Sequence, residues 1–209
     1  MNKLIYEYLD ELFPNPHCEL KYHKDYELLI AVMLSSQTTD IKVNKVTDVL
    51  FKQYPTLKSL SQAEYKDIRD ILLSLGMYNK KAEYVIKIAL ELTTKYQGKV
   101  LNDREVLEAL PGVGRKVTNV VLGILFNEPY IAVDTHVKRI AIRLGIAEEK
   151  DNVYLIEKKL SKVVPDNLKV KIHFQFVLFG RYHCKAIKPN CSECKLKEIC
   201  SYYKNKKSA

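Results

Sequence analysis

The chain has 209 residues, enough for one large domain or two small ones, and 47% of them are hydrophobic, so a substantial core can form. With only seven glycines and seven prolines it is not collagen-like or of low complexity, and no run of about 18 apolar residues predicts a membrane span. The net charge of +9, from 34 basic and 25 acidic residues, suits a polyanion such as nucleic acid, although a lysine-rich solvated surface has the same composition.

The first residues do not predict a targeting signal. Met1-Asn2-Lys3-Leu4 leads into a segment that carries Glu7, Asp10 and Glu11, which is not the basic and then apolar pattern of a signal peptide. We therefore expect a cytoplasmic protein, associated with the nucleoid if the cell is bacterial.

Apolar residues recur at three- and four-residue steps along most of the chain, and no series of strands is visible, so the predicted fold class is all-α. Pro14-Asn15-Pro16 ends the first helix, and Ser61-Gln62-Ala63-Glu64 is predicted to open a later one as a capping box. The predicted helices span about residues 4–12, 26–34, 40–54, 61–75, 79–96, 102–110, 115–126, 134–144, 152–163 and 166–182.

A glycine-containing turn, Leu110-Pro111-Gly112-Val113-Gly114, joins two of these helices. Gly112 and Gly114 can adopt backbone angles closed to other residues and let a phosphate approach the main chain. The amides and the dipole at the start of the next helix favour an anion there. The pattern therefore predicts a grip on the DNA backbone, and the alternative is a tight link between packed helices.

Lys116 and Asp134 are the candidate catalytic residues. A lysine amine can form a Schiff base with a sugar carbon, but at an ordinary pKa near 10.4 only about 0.1% of it is neutral at pH 7.5. A helix N-terminus and the neighbouring Arg115 favour the neutral form. The alternatives are a phosphate-contacting Lys116 and an Asp134 that only caps a helix.

Four cysteines follow at the spacing C-x6-C-x2-C-x5-C: Cys184, Cys191, Cys194 and Cys200. Such a cluster in a cytoplasmic protein predicts a metal centre rather than disulfides. The spacing alone is equally compatible with an iron–sulfur cluster and with zinc. Cys18 is predicted to have no special role.

Residues 110–121, LPGVGRKVTNVV, resemble the helix-hairpin-helix motif of the DNA glycosylase superfamily, and residues 131–136, IAVDTH, resemble the loop that ends in its active-site Asp. With GRYHC at 180–184 and the remaining cysteines, the resemblance is to the endonuclease III family over essentially the whole chain. It implies two helical lobes. One is a six-helix barrel with the helix-hairpin-helix motif at residues 19–128, and the other is an iron–sulfur lobe of residues 1–18 and 129–209.

The resemblance also implies a function. We expect a monomeric, bifunctional base-excision-repair enzyme that acts on double-stranded DNA. It would flip out and remove oxidised pyrimidines, and it would cut 3′ to the abasic site by β-elimination through a Lys116 Schiff base. Asp134 would stabilise positive charge on the sugar, and the four cysteines would hold a [4Fe–4S] cluster.

The same resemblance implies roles in DNA binding. Gln37 would fill the space left by the flipped base, and Met77 stands where relatives often place a leucine wedge. The residues expected to contact DNA are Gln37, Met77, Gly112, Val113, Gly114, Arg115 and Lys188.

Three alternatives remain at this point. An adenine-specific glycosylase and a monofunctional mismatch glycosylase of the same fold are both disfavoured by Lys116. The third is a non-enzymatic DNA-binding protein whose C-terminal region is held by a metal.

Overall fold

The structure is a computed structural model that describes residues 1–207. Those residues contain no β-strand, so the predicted all-α class is confirmed. The helices are α1 (Lys3–Leu12), α2 (Asp25–Leu34), α3 (Asp40–Gln53), α4 (Leu57–Ser61), α5 (Tyr65–Leu72), α6 (Tyr78–Lys95), α7 (Arg104–Ala109), α8 (Arg115–Phe126), α9 (Thr135–Arg143), α10 (Val153–Val163), α11 (Lys169–Leu178) and α12 (Ser201–Lys207). A 3-10 turn, Asp166–Leu168, precedes α11, and a π-helical turn, Phe179–His183, continues it.

The chain forms two compact units. The central unit is Cys18–Phe126, and the terminal unit joins Met1–His17 to the described residues from Asn127 onward. The sequence-based limits lie one residue later at the start of the central unit and two residues later at its end.

Helix α2 forms the core of the central unit. Its residues from Tyr26 to Leu34 are all buried, and all of them except Glu27 are hydrophobic, which fits a helix enclosed on every side. Helices α3, α6 and α8 pack against it. The loop that follows α2 is therefore attached to a rigid, fully packed helix.

The terminal unit has a separate core built from both ends of the chain. Ile5, Tyr8 and Leu9 of α1 pack with buried residues of α9, α10 and α11, and Cys184 and Cys194 pack against this cluster at its edge. A hydrogen bond also links the N-terminal and C-terminal segments of this unit: the Gln175 amide donates to the Phe13 carbonyl over 3.0 Å.

Some predicted helix limits are wrong. The residues that form a capping box are Thr56 and Ser59, so α4 begins at Leu57, and Ser61 ends that helix instead of opening one. The N-cap position of α6 is occupied by Met77, which makes no side-chain capping bond, and Asn79 lies inside the helix. Helix α12 was not predicted at all.

Other limits were close. Asp103 caps α7 in place of the predicted Asn102, and the single helix predicted over residues 166–182 is divided into the 3-10 turn, α11 and the π-helical turn. Within residues 1–207, no helix combines the length and apolar character that crossing a bilayer requires.

Candidate active site and cysteine centre

The turn between α7 and α8 has the geometry of a type II turn. The Val113 amide donates to the Leu110 carbonyl over 3.1 Å, Pro111 stands at the second position, and Gly112 at the third has φ +76°. A Cβ on Gly112 would also overlap the ring of Tyr84. Glycine is therefore required at this position for two independent reasons, a left-handed backbone and a close approach.

The turn is anchored on one side and open on the other. Leu110 and Val113 are buried, whereas Gly114 is exposed and a Cβ there would meet nothing within 4 Å. The first turn-to-turn bond of α8 runs from the Thr118 amide to the Gly114 carbonyl over 3.0 Å. The amides of residues 115–117 thus lie ahead of the hydrogen-bonded ladder, at the positive end of the helix.

Lys116 is the second residue of α8 and is half-buried. Its Nζ lies 3.4 Å from the Oγ of Ser35, the C-terminal capping residue of α2. The Ser35 hydroxyl donates to the Val32 carbonyl over 2.7 Å, so an oxygen lone pair remains to face the amine. The candidate nucleophile is therefore held against the end of the most buried helix of the central unit.

Gln37 and Met77 lie at the tips of two loops of the central unit. Both side chains are exposed, and both residues have left-handed backbones, with φ of 57° and 59°. The Gln37 carbonyl oxygen lies 3.7 Å from where a Cβ on Gly76 would stand, so the two loops are in contact. Because Gln37 follows Ser35 by two residues, the same loop also reaches Lys116.

Asp134 lies in the terminal unit and caps α9. Its Oδ1 accepts from the Val137 amide over 2.8 Å, and buried Ile131, Ala132 and Val133 fix the backbone before it. The predicted capping role is thus confirmed. Burial lowers the pKa of nearby His136, with the Asp134 charge opposing the shift more weakly.

His136 is oriented by a guanidinium group. The Nη2 of Arg139 lies 3.1 Å from Nδ1 of His136, and Arg139 also donates to the carbonyls of Gly180 and Cys184. These contacts tie the first turn of α9 to the segment that enters the cysteine loop.

The four predicted metal-ligating cysteines line one cavity with apolar walls that include Ile140, Phe179 and Leu196. Arg143 lines the same cavity: its guanidinium donates to the Sγ of Cys184 over 3.2 Å and to the Lys185 carbonyl over 2.8 Å. Lys188, within the loop, is exposed and has φ 50°.

The thiols of this cavity would need a bound cation to become thiolates. Burial raises the pKa of Cys194 to about 11 and also raises the pKa of Cys184, so a bound metal is needed to hold these sulfurs as thiolates. In residues 1–207, however, no three His, Cys, Asp or Glu side chains converge closely enough to share one metal ion.

Comparison with known proteins identifies the family of this chain. The profile of the HhH-GPD superfamily of base excision DNA repair proteins matches residues 30–166. An endonuclease III from Buchnera aphidicola subsp. Schizaphis graminum is 45% identical over 92% of this chain and 91% of that one. The chain belongs to the endonuclease III family.

Other members of the endonuclease III family agree in sequence and in structure. The enzyme of Escherichia coli K12 is 44% identical over 93% of this chain and 92% of that one. The structure of a trapped endonuclease III–DNA covalent intermediate is 41% identical, covers 99% of both chains and has a TM-score of 0.93.

Sequence analysis missed three residues that organise these sites. Ser35 and Arg143 carry no pattern that distinguishes them, because their partners are distant in sequence. Lys81 could have been found: it continues the apolar stripe of Val85, Ile88 and Leu92 on α6, and it is buried. A lysine in such a stripe needs a specific partner.

Proposed function

We propose that this chain is a bifunctional DNA glycosylase and abasic-site lyase that removes oxidised pyrimidines, with Lys116 as its nucleophile. The observation that carries the proposal is the position of Lys116 on the first turn of α8, directly after the type II turn. Membership of the endonuclease III family supports the same activity, since a relative has been trapped in a covalent complex with DNA.

Lys116 attacks as the neutral amine. A bond forms between Nζ and C1′ of the extruded nucleotide while the bond from C1′ to the base breaks, and the base leaves with a proton. Opening of the sugar ring then gives an imine between Nζ and C1′. Loss of a proton from C2′ expels the 3′-phosphate and cuts the strand, which is β-elimination.

Asp134 supports this chemistry electrostatically. Its carboxylate stabilises the positive charge that develops on the sugar as the base departs, and it relays protons. The hydrogen bond from the Val137 amide holds the carboxylate in one orientation, as charge stabilisation requires.

DNA is held by the turn and opened by the two loop tips. Gly112, Val113, Gly114 and Arg115 grip a phosphate through backbone amides and a cation. Gln37 fills the gap in the stack and Met77 wedges against the opposite strand, which offsets part of the few kcal/mol that flipping costs.

The terminal unit holds a [4Fe–4S] cluster through its four thiolates. Cys184, Cys191, Cys194 and Cys200 line one cavity, and membership of the endonuclease III family favours such a cluster over a single zinc ion. When bound, the cluster would cross-link the loop through its metal–thiolate bonds. The loop would then hold Lys188 where it can contact DNA phosphates. The central unit is then the helical barrel with the helix-hairpin-helix motif.

The partner is double-stranded DNA that contains damaged pyrimidines or abasic sites. The excess of basic over acidic residues favours this polyanion. We propose that the protein works as a monomer in the cytoplasm.

Borohydride trapping tests the proposal. The native chain, incubated with abasic-site duplex and borohydride, should give a covalent adduct whose deoxyribose remnant maps to residue 116, because reduction fixes the imine. Lys116→Ala should give none. Arg115→Ala is the matched control: it removes a neighbouring charge, so binding should weaken while the adduct still forms. An adduct of normal yield in Lys116→Ala would contradict the mechanism.

A further inference from the structure

We infer that Lys81 is a positioning residue that fixes the Gln37 and Met77 loops to each other, so that both side chains enter the DNA as one rigid device. The inference rests on the proposed function, since it assigns a supporting residue to the two loop tips. Lys81 itself does not touch DNA, because it is 3% exposed.

One residue binds the backbone of both loops. The main-chain amide of Lys81 donates to the Met77 carbonyl over 3.0 Å, and its Nζ donates to the Ser36 carbonyl over 2.8 Å. Met77 is one loop tip, and Ser36 directly precedes Gln37, the other. The rigid first turn of α6 thus separates the two anchored carbonyls by a fixed distance.

The environment of the amine explains why a charged side chain is used. The Ser36 carbonyl lies just beyond the C-terminus of α2, where the helix dipole favours a cation. Burial lowers the pKa of Lys81, so the ammonium is held at a desolvation cost that an apolar residue would avoid. The buried Lys81 ammonium therefore indicates that the loop carbonyl of Ser36 must be held in place, because core packing alone would favour an apolar side chain.

The loop backbones also require such an anchor. Gln37 and Met77 both have left-handed φ values, which are unfavourable for residues with a Cβ. Strained conformations of this kind persist when the surroundings fix them, and they concentrate at functional sites. Here the exposed side chains contribute little to holding the strain. The first turn of α6 holds the Met77 carbonyl through the main-chain amide of residue 81, and the Lys81 side chain holds the Ser36 carbonyl next to Gln37.

The test compares duplex with single-stranded substrate. Lys81→Met keeps an unbranched apolar stem and removes a buried charge, a replacement that often leaves stability unchanged or improved. Gln37 and Met77 act only where a base pair is opened. The kcat/KM of Lys81→Met on a duplex abasic site should therefore fall by about tenfold to a hundredfold. Cutting of an abasic site in single-stranded DNA should stay within about twofold of native, because no pair is opened.

Lys87→Met is the matched control. Lys87 lies on the same helix, loses the same charge and has a side chain that is 59% exposed. It should behave like the native chain on both substrates. Unchanged duplex activity in Lys81→Met, or an equal loss on both substrates, would overturn the inference.

A double-mutant cycle shows whether Lys81 acts through the loop. If it does, Lys81→Met should cost much less in a Gln37→Ala background than in the native chain, whereas additive losses would count against it. Should Lys81→Met fail to fold, the cycle between Gln37→Ala and Met77→Ala decides, because both sites are exposed. Coupled losses support one rigid device, and additive losses overturn it.

The two proposals fail in distinguishable ways. If the native chain forms no borohydride adduct, the proposed function fails and the role of Lys81 fails with it. If the native chain traps normally while Lys81→Met matches it on duplex, only the role of Lys81 is overturned.

Discussion

At the scale of single residues, Asp134 combines a structural and a chemical task in one carboxylate. One oxygen accepts from the Val137 amide and begins α9, and the side chain is half-buried. A carboxylate keeps a second oxygen after capping, so it can still face developing positive charge. The capping interpretation and the catalytic one therefore do not compete, but simple removal of the side chain would confuse them.

Two substitutions separate the tasks. Asp134→Asn keeps an oxygen for the Val137 amide, so the free energy of unfolding should stay within about 0.5 kcal/mol of native, whereas Asp134→Ala should lose about 1 kcal/mol. Both should slow base release in single turnover by about a hundredfold, because the charge is gone in each. Urea unfolding and quenched-flow assays measure the two effects. An Asp134→Asn enzyme as fast as native would leave the carboxylate with capping alone.

At the scale of elements, different residues of the five-residue turn between α7 and α8 contribute to folding stability and to DNA binding. Gly112 serves the fold, since its backbone is left-handed and it lies against Tyr84. Gly114 faces open space, so its lack of a side chain serves whatever approaches from outside. The same residue type is thus present at the two positions for different reasons.

Gly112→Ala should lower the free energy of unfolding by roughly 1–3 kcal/mol, because the backbone is strained and Tyr84 must move. Gly114→Ser, which places a good capping residue in open space, should leave stability unchanged or slightly higher. It should nevertheless weaken DNA binding, since the added atoms stand where a phosphate approaches. Thermal melts and fluorescence anisotropy distinguish the two. Equal stability losses would show that Gly114 has a folding role as well.

Elements were predictable where their signals are local. Pro111 and Gly112 predict a turn from two adjacent residues, and the apolar run of α2 predicts a buried helix. The signal at Ser61 was misleading, because the Thr56–Ser59 capping box had already started a helix there. The anchoring of Ser36 by Lys81 spans 45 positions, so only tertiary structure could reveal it.

At the scale of the whole molecule, the two units differ in how their cores relate to the cysteine cavity. The central unit is one continuous stretch, Cys18–Phe126, with its core on α2. The terminal unit joins two distant segments, and its core extends to Cys184 and Cys194 at the edge of the cysteine cavity. A metal centre bound at that edge would therefore close the core of the terminal unit and leave the core of the central unit unaffected.

The protein as isolated should contain about four iron and four acid-labile sulfide per chain, against one zinc and no sulfide for the alternative centre. Removing the metal should expose buried thiols and destabilise the terminal unit, because a closed loop and the core edge are released together. Hydrogen exchange should then speed up at the amides of α9 and α12, while those of α2 and α8 stay protected. The prediction is wrong if both units lose protection equally or if metal removal changes neither. A single zinc with no sulfide would remove the cluster and leave the fold argument standing, because one tetrahedral ion also closes the loop.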